Sequence, residues 1–131
     1  MNMKVLLVDD EESIRVLLGG LLSELGCDVS LASNGEEAVE RIVGSKVDLV
    51  VSDIYMPIMD GKQLHRTMRF DPQYQEVPFL FMSGFRDEYV KSAVEHPHYE
   101  GFYQKGESIS GFIDLVRTLG DPAKRDRCHS D

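Results

Sequence analysis

KVLLVDDEESIRVLLGGLLSELGCDVSLA, residues 4–32, places a strand pattern, a helix pattern and a second strand pattern in close succession. KVLLV is a short apolar, β-branched run that stops at charge, which is typical of a strand buried on both faces. Gly26 stands where the C-terminal cap of the helix belongs, and DVSLA predicts the second strand. The helix is predicted from one apolar stripe at i, i+3, i+4, i+7 spacing: Ile14, Leu17, Leu18, Leu21, Leu22 and Leu25.

The same alternation of strand and helix continues along the chain. The further predicted elements are a helix capped by Asn34, a strand at 47–53, a helix carrying Leu64 and Met68, a strand at 77–83, a helix at 87–95 before Pro97, the strand GFYQ, and a helix with Ile109, Phe112, Ile113, Val116 and Leu119 that stops at Gly120. Five alternations predict an α/β fold, with a parallel sheet and helices on both faces.

Length and charge restrict the class of protein. The chain has 131 residues, which suits one domain, and a formal net charge of −9, which argues against direct nucleic-acid binding. Its apolar runs are too short for a membrane span. Cys27 and Cys128 have no zinc-like spacing and are predicted to be free thiols, so a cytoplasmic location is expected. Residues 121–131 are polar and read as a tail or the start of a linker.

Polar residues follow four of the five predicted strands. Asp9 and Asp10 follow the first strand, Asp53 ends the third, Ser83 ends the fourth, and Lys105 comes just after the fifth. Ligands of open α/β sheets bind outside the carboxyl ends of the strands, so we expect these five side chains to converge.

Three crowded carboxylates need a cation between them if all are to stay ionised. Ligands that are all oxygen select a hard ion, so the sequence predicts Mg²⁺ bound by Asp9, Asp10 and Asp53. The adjacent Glu11 and Glu12 are instead expected to be solvated acids in the first helical turn, where they suit the helix dipole.

The predicted cleft has the parts needed for phosphoryl transfer. Asp53 stands alone after an apolar strand and is the best candidate nucleophile, since an ionised carboxylate needs no general base. Lys105 and Ser83 can contact the phosphoryl oxygens. The histidines show no metal-ligand spacing and are expected to be exposed: His65, His96, His98 and His129.

Four segments resemble, in order and spacing, the receiver domain of two-component response regulators. They are VLLVDDEESIR, LVVSDIYMPIMDG, FMSG and GFYQK, and the resemblance covers residues 3–120. It implies a receiver domain over residues 1–120 with a flavodoxin-like, doubly wound (βα)5 fold and strand order 2-1-3-4-5.

The resemblance also implies the role of each site residue. Asp53 would be the phosphoacceptor, charged by the phosphohistidine of a sensor histidine kinase or histidine phosphotransfer protein, or by a small phosphodonor. Asp10, Asp53 and the backbone carbonyl of Tyr55 would ligate Mg²⁺, or Mn²⁺ in its place, and Asp9 would act through a metal-bound water. Ser83 and Lys105 would hold the phosphoryl group.

Such a domain is a signalling switch and not an enzyme, although it promotes its own phosphorylation and dephosphorylation. Phosphorylation would draw Ser83 inward and turn Phe102, the switch aromatic, which changes the face formed by helix 4, strand 5 and helix 5. The resemblance implies an output partner that the sequence does not identify, and a monomer or phosphorylation-dependent homodimer. Tyr99 and Tyr103 are candidate contacts on that face, with packing roles an equal alternative.

The chain departs from the family pattern around the site. Lys105 is followed by Gly106 where the family usually has a cis proline, and a cis bond before glycine costs about 2.5–4 kcal/mol, so we expect a trans bond or a more mobile loop. Ser83 replaces the commoner threonine. Tyr55, Met56, Gly84 and Phe85 flank the site, and we hypothesise that the bulky Tyr55 and Phe85 hinder the attacking water and lengthen the life of the acyl phosphate.

Other classes remain open. The chain can be the receiver segment of a larger multidomain regulator or hybrid kinase. An aspartate-nucleophile phosphatase of the haloacid dehalogenase type is a remote alternative, because it expects a DxD pair after the first strand. A flavin binder is disfavoured because no Ser/Thr/Gly phosphate-binding loop follows that strand.

Overall fold

The computed structural model describes residues 2–121, which form five strands and five helices in alternation. The strands are β1 (Lys4–Val8), β2 (Asp28–Ala32), β3 (Leu49–Asp53), β4 (Phe79–Ser83) and β5 (Glu100–Gln104). The helices are α1 (Glu12–Glu24), α2 (Gly35–Ile42), α3 (Gly61–Arg69), α4 (Glu88–Lys91) and α5 (Ile109–Gly120). The predictions for residues 122–131, including Cys128 and His129, lie outside the described residues.

The strands form one parallel sheet in the order β2-β1-β3-β4-β5, which confirms the predicted fold class and strand order. Val8 pairs with Ser52, and Asp53 pairs with Met82. The carboxyl ends of β1, β3 and β4 therefore lie side by side at one edge of the sheet. None of the helices within residues 2–121 has the length and apolar character that a membrane span requires.

Alternate side chains of the strands face opposite sides of the sheet and build two cores. Under α2, α3 and α4, the buried residues include Leu6, Val8, Val50, Phe79, Phe81, Ala38, Ile42, Leu64, Met68 and Val90. Under α1 and α5, they include Val5, Leu7, Leu49, Val51, Leu80, Met82, Leu18, Leu22, Phe112 and Val116. Because both faces are covered, the central strands are apolar at nearly every position.

The buried face of α1 differs from the predicted stripe. Leu18 and Leu22 are buried, but Leu17 is 59% exposed, so its assignment to the buried stripe is wrong. A Cβ added at Gly19 would lie 3.3 Å from Leu31 Cδ2, which places this glycine at the contact between α1 and the sheet. The buried line therefore runs through Gly19 and turns Leu17 outward.

Most predicted boundaries agree with the structure within two residues, but α4 is shorter than predicted. It spans Glu88–Lys91 where the sequence predicted 87–95. The backbone N–H groups of Glu95 and His96 both donate to Glu100 Oε1, each at 2.9 Å. These donors are satisfied by a side chain from the next strand, so no further helical turn is needed to satisfy them.

Candidate functional site

The five side chains predicted to converge do lie at the same edge of the sheet. Asp9 and Asp10 directly follow β1, Asp53 and Ser83 end β3 and β4, and Lys105 directly follows β5. Asp9 and Asp53 are buried, with 0% and 5% exposure. The fold therefore places two buried carboxylates beside one another at the carboxyl-terminal edge of the sheet.

Asp9, Asp10 and Asp53 each place one carboxylate oxygen within 4.8 Å of the corresponding oxygens of the other two. Asp10 is exposed, so one side of this group is open to solvent. Asp9 Oδ2 is buried, and among residues 2–121 its only polar partner is the Lys105 ammonium. The donor set is entirely oxygen, is open to solvent on one side, and includes the buried Asp9 Oδ2 with a single polar partner. These properties fit a hydrated Mg²⁺ ion.

Lys105 links the two buried carboxylates. Its Nζ lies 2.7 Å from Asp9 Oδ2 and 3.3 Å from Asp53 Oδ2. The sequence predicted Glu11 to be only a solvated acid of the first helical turn. Lys105 Nζ lies 3.8 Å from Glu11 Oε1, so Glu11 also belongs to the edge of the site. A single ammonium therefore partly neutralises the acidic group.

Burial dominates the electrostatics of the site. Together with the charges of Asp9 and Asp10, it raises the pKa of Asp53 to about 6 against the opposing effect of Lys105. Burial also raises the pKa of Asp9. Burial alone would lower the pKa of Lys105, but Asp9 and Asp53 outweigh it and raise that pKa. One ammonium is thus too little positive charge for these carboxylates, and a further cation would favour their ionised forms.

Backbone donors fix one oxygen of each buried carboxylate. Asp53 Oδ1 accepts from the N–H of Ile54 at 2.9 Å, and Asp9 Oδ1 accepts from the N–H of Glu11 at 2.9 Å. The second oxygen of each group points toward Lys105. Asp53 therefore presents Oδ2 to the cleft in a fixed orientation.

Ser83 connects the site to the β4–α4 loop. Its Oγ accepts from the N–H of Phe85 at 3.0 Å, and its carbonyl accepts from the N–H of Lys105 at 2.9 Å. A hydroxyl that accepts one hydrogen bond can still donate another. The Ser83 hydroxyl can therefore donate its proton to a further acceptor.

The conformation of the loop after Lys105 is incompatible with the proline that the family usually has at position 106. The described residues contain no cis peptide bond, which confirms the predicted trans bond between Lys105 and Gly106. Gly106 has φ +93°, a left-handed conformation that proline cannot adopt. The positive φ of this trans loop therefore favours glycine at position 106.

Close packing fixes the position of α3 against Asp53. A Cβ on Gly61 would lie 2.2 Å from the carbonyl oxygen of Asp53, a distance that no substitution could tolerate without a backbone shift. The Gly61 N–H also donates to the carbonyl of Ile54 at 2.8 Å. The first turn of α3 is thus held directly against the end of β3.

Phe102, the residue identified from the resemblance as the switch aromatic, is half-buried beneath Arg86. The guanidinium carbon of Arg86 lies 4.6 Å from the Phe102 ring centroid, and Arg86 Nε donates to Gln104 Oε1 at 2.9 Å. Arg86 was not identified from the sequence, because nothing in its local pattern indicates a contact with β5. It covers Phe102 and joins the β4–α4 loop to that strand.

The two tyrosines suggested as output contacts differ. Tyr103 is buried, and its hydroxyl donates to the carbonyl of Glu107 at 2.6 Å, so of its two predicted roles the structure supports packing and not surface contact. Tyr99 is half-buried and stacks on His96 at a centroid distance of 5.3 Å. Its ring also lies 5.0 Å from the Arg69 guanidinium carbon. Of these two tyrosines, Tyr99 alone is partly exposed.

Aromatic side chains border the cleft. Tyr55 and Phe85, both predicted to flank the site, meet edge to face with centroids 5.7 Å apart. Tyr89 on α4 completes this group and was missed by the sequence analysis. Met56 and Gly84 lie beside Tyr55 and Phe85 along the chain, on the same two loops. The border joins the β3–α3 loop to the β4–α4 loop.

The prediction that His65 is exposed is wrong. His65 is 6% exposed and lies against Phe79 and Phe81, with both centroid distances 5.1 Å. Its Nε2 is hydrogen-bonded to the buried Glu100 carboxylate. Arg69, four residues further along α3, donates to the same carboxylate oxygen from Nε at 3.0 Å and Nη2 at 2.8 Å. The i, i+4 spacing of His65 and Arg69 is the one local signal of a shared acceptor.

Comparison with known proteins agrees with this geometry. The family model described as "Response regulator receiver domain" matches residues 5–117. The chain belongs to the response regulator receiver domain family. It is 41% identical over 91 residues to the alkaline phosphatase synthesis transcriptional regulatory protein PhoP of Bacillus subtilis, a match that covers 70% of this chain and 37% of that relative.

Solved receiver domains have the same fold. The chemotaxis protein CheY4 of Vibrio cholerae has a TM-score of 0.82 and 26% identity, covering 91% of this chain and 99% of that one. The receiver domain of sensor histidine kinase PA1611 of Pseudomonas aeruginosa has a TM-score of 0.78 and 21% identity, covering 92% of this chain and all of that one. That second structure contains a magnesium ion coordinated in its active site cleft.

Proposed function

We propose that this receiver domain accepts a phosphoryl group on Asp53 and thereby acts as a signalling switch, not as an enzyme with a separate substrate. The observation that carries the proposal is the fixed carboxylate of Asp53, whose Oδ2 lies 3.3 Å from Lys105 Nζ within the group formed with Asp9 and Asp10. The phosphodonor would be the phosphohistidine of a sensor histidine kinase or histidine phosphotransfer protein, or a small phosphodonor.

Mg²⁺ is the cofactor that the donor set favours, with Mn²⁺ as a substitute. Asp10, Asp53 and the Tyr55 backbone carbonyl would hold it directly, and Asp9 would hold it through water. When bound, the ion neutralises charge on the carboxylates and the transferred phosphoryl group. The ion coordinated in the cleft of the PA1611 receiver domain supports this assignment.

The transfer step uses one oxygen of Asp53. Oδ2 forms a bond to phosphorus while the bond from phosphorus to the donor nitrogen breaks, and the electron pair leaves with the imidazole of the phosphohistidine. Oδ1 stays hydrogen-bonded to the N–H of Ile54, which keeps the carboxylate oriented. Lys105 Nζ and the Ser83 hydroxyl would donate to the phosphoryl oxygens and stabilise their charge.

The switch would run from Ser83 to Phe102. Movement of Ser83 toward the phosphoryl group pulls the β4–α4 loop, which carries Arg86, away from the ring that it covers. Phe102 could then turn inward, and the face formed by α4, β5 and α5 would change its affinity for an output partner. The partner and any phosphorylation-dependent homodimer belong to this proposal, as does a cytoplasmic location.

The relatives of this chain include both longer regulators and proteins of about its own length. The chain spans 37% of the Bacillus subtilis relative, whereas it covers 99% of CheY4. The switch could therefore act on a separate partner or on another domain of the same regulator or hybrid kinase. The chemistry at Asp53 is the same in both arrangements.

Intact-mass analysis tests the proposal. Wild type is incubated with a small phosphodonor in Mg²⁺ or in EDTA, beside Asp53→Asn and the control Asp114→Asn, which changes an exposed acid on α5. We expect a gain of one phosphoryl group in wild type and Asp114→Asn, only with Mg²⁺, and none in Asp53→Asn. An unmodified wild type would overturn the proposal, and a modified Asp53→Asn would place the acceptor elsewhere.

A further inference from the structure

Two tyrosines and two aspartates connect the loop after β3 to α4 in a crossed arrangement. Tyr55 Oη, in the β3–α3 loop, donates to Asp87 Oδ2 at 2.5 Å, just before α4. Tyr89 Oη, on α4, donates to Asp60 Oδ2 at 2.7 Å, just before α3. Each tyrosine thus binds the aspartate that precedes the other segment's helix. Tyr55, Asp87, Tyr89 and Asp60 together form the crossed clasp.

Both aspartates of the crossed clasp also cap a helix. Asp87 Oδ1 accepts from the N–H of Val90 at 3.0 Å, and Asp60 Oδ1 accepts from the N–H of Gln63 at 2.8 Å. One oxygen of each carboxylate therefore caps its own helix while the other holds the opposite tyrosine. Because each carboxylate makes both hydrogen bonds, the two aspartates connect the first turns of α3 and α4.

Ring contacts reinforce the crossed clasp. The Tyr55 and Tyr89 rings lie 5.7 Å apart at 32°, and Phe85 packs edge to face on Tyr55. Lys62 on α3 places Nζ 4.2 Å from the Tyr89 ring centroid and donates to Ser92 Oγ at 2.6 Å. The two segments thus meet over a surface, so loss of a hydroxyl would weaken their contact without separating the rings.

Both hydroxyls remain protonated donors throughout the neutral range. The hydrogen bond to Asp87 is the main cause that raises the pKa of Tyr55 to about 12. Burial, followed by the hydrogen bond to Asp60, raises the pKa of Tyr89 to about 12. Near neutral pH the two aspartates are ionised and the two tyrosines are protonated, so both hydrogen bonds of the crossed clasp are independent of pH there.

The crossed clasp holds both ends of the loop that leaves Asp53. Tyr55 lies two residues after Asp53, and Asp60 lies immediately before α3. On the other side, α4 has only four residues, too few to persist as an isolated helix, so its position depends on tertiary anchors. The two tyrosine hydrogen bonds therefore connect this loop directly to the start of α4.

We propose that Tyr55 and Tyr89 are positioning residues that couple the metal-binding loop after β3 to α4. The coupling rests on the magnesium site of the proposed function, to which Tyr55 contributes its backbone carbonyl. With the crossed clasp intact, the loop holds that carbonyl in place, and occupation of the site changes the environment of α4. By reciprocity, docking of α4 tightens metal binding by the same factor.

Hydroxyl deletion provides the test, because Tyr→Phe keeps the rings and both helix caps. Tyr55→Phe, Tyr89→Phe and the double variant are titrated with Mg²⁺ in the absence of any phosphodonor, and amide NMR signals are followed in the loop (54–59) and in α4. The control is Tyr74→Phe, which removes the 2.6 Å hydrogen bond to the Ile42 carbonyl at the amino-terminal edge of the sheet.

In wild type and Tyr74→Phe, we expect loop and α4 signals to shift with one common dissociation constant. In the double variant, we expect this constant to rise about five-fold, near the low end of typical couplings because both tyrosines are exposed. The α4 signals should also lose most of their response while the loop signals still shift. The single variants should each show most of the effect if the two bonds act as a unit.

Two results would overturn the coupling: a double variant with the wild-type dissociation constant, or one whose α4 signals shift as fully as those of wild type. A double variant whose loop signals shift normally while its α4 signals do not would show that the coupling is lost and that the magnesium site of the proposed function is intact. Wild-type protein whose loop signals ignore Mg²⁺ would overturn the magnesium site and the coupling together. The phosphorylation assay is separate, so failure of phosphoryl transfer alone does not alter the titration.

Discussion

The imidazole of His65 on α3 is hydrogen-bonded to the carboxylate of Glu100 at the start of β5, and both side chains are buried. Arg69 donates to the same carboxylate, while the N–H groups of Glu95 and His96 occupy its other oxygen. Glu100 thus holds α3 and the α4–β5 loop to the edge strand. This makes it the main polar anchor beneath the proposed output face.

Glu100→Gln should destabilise the domain. The amide keeps the shape of the side chain but removes the charge that faces Arg69, and breaking a buried, hydrogen-bonded charge pair costs about 3 kcal/mol. Urea unfolding measures the loss. The matched control is Glu88→Gln, whose side chain is 92% exposed and pairs with Lys91 at 3.4 Å, and it should change stability by less than about 0.5 kcal/mol. Equal effects of the two variants would contradict the role of Glu100.

The same carboxylate predicts a pH dependence of stability. Burial alone would raise the pKa of Glu100, but His65, two backbone donors and Arg69 outweigh it and lower that pKa from 4.5 to about 2. A lowered carboxyl pKa stabilises the folded state above pH 4.5, and this contribution is lost as pH falls from 4.5 to about 2.

At about 1.4 kcal/mol per pKa unit, the contribution lost is about 3 kcal/mol. We therefore expect the free-energy difference between wild type and Glu100→Gln to shrink across this window in urea titrations at stepped pH. The raised pKa values of Asp9 and Asp53 act in the opposite direction but are shared by both proteins. A difference that stays constant down to pH 2.5 would show that Glu100 is not the titrating group.

The fold was predictable because its signals are local. Apolar runs, cap residues and turn glycines lie within a few positions of the structure that they specify, so the five strands and their parallel order followed from the sequence and its family resemblance. The end of α4 was not predictable, because the Glu100 side chain that satisfies the next backbone donors belongs to another element. Likewise, no local pattern could decide which side of α1 exposes Leu17.

The centre of the site was predictable for a topological reason. Side chains at the carboxyl ends of parallel strands must meet, so Asp9, Asp53 and Lys105 could be placed together from strand positions alone. Arg86 and Tyr89 could not be placed, because each lies on a loop or short helix whose position depends on packing. The sequence thus identified the proposed chemistry but not the side chains that connect it to α4 and β5.

Ile58 carries backbone strain beside the cleft. Its φ is +71°, a left-handed conformation that is unfavourable for a β-branched residue. The side chain is 74% exposed, so burial does not offset this strain. Ile58→Asn should stabilise the domain by about 1 kcal/mol, because asparagine tolerates this conformation. Val43→Asn is the control, since Val43 is 73% exposed with φ −55°, and urea unfolding should show no gain there. The strain argument fails if both variants gain equally.

Asp53→Asn should stabilise the domain when no divalent cation is bound. The amide removes a buried negative charge beside Asp9 while its oxygen can still accept from the N–H of Ile54, so we expect a gain of about 1 kcal/mol in EDTA. Added Mg²⁺ should then raise the melting temperature of wild type more than that of the variant. Thermal unfolding with and without metal measures both, with Asp114→Asn as the control. A variant less stable than wild type in EDTA would contradict this account of the site.

Phe85→Ala and Tyr55→Ala should shorten the life of the phosphorylated protein. The two rings meet edge to face at the border of the cleft, although Phe85 is 64% exposed, so each can restrict the path of a water molecule toward Asp53. We expect dephosphorylation up to about ten-fold faster, equivalent to ~1.4 kcal/mol of barrier, measured as decay of the phosphorylated mass after the donor is removed. Phe70→Ala removes an 81% exposed ring at the far end of α3 and should leave the half-life unchanged. Unchanged decay in both cleft variants would mean that these rings do not shield the acyl phosphate.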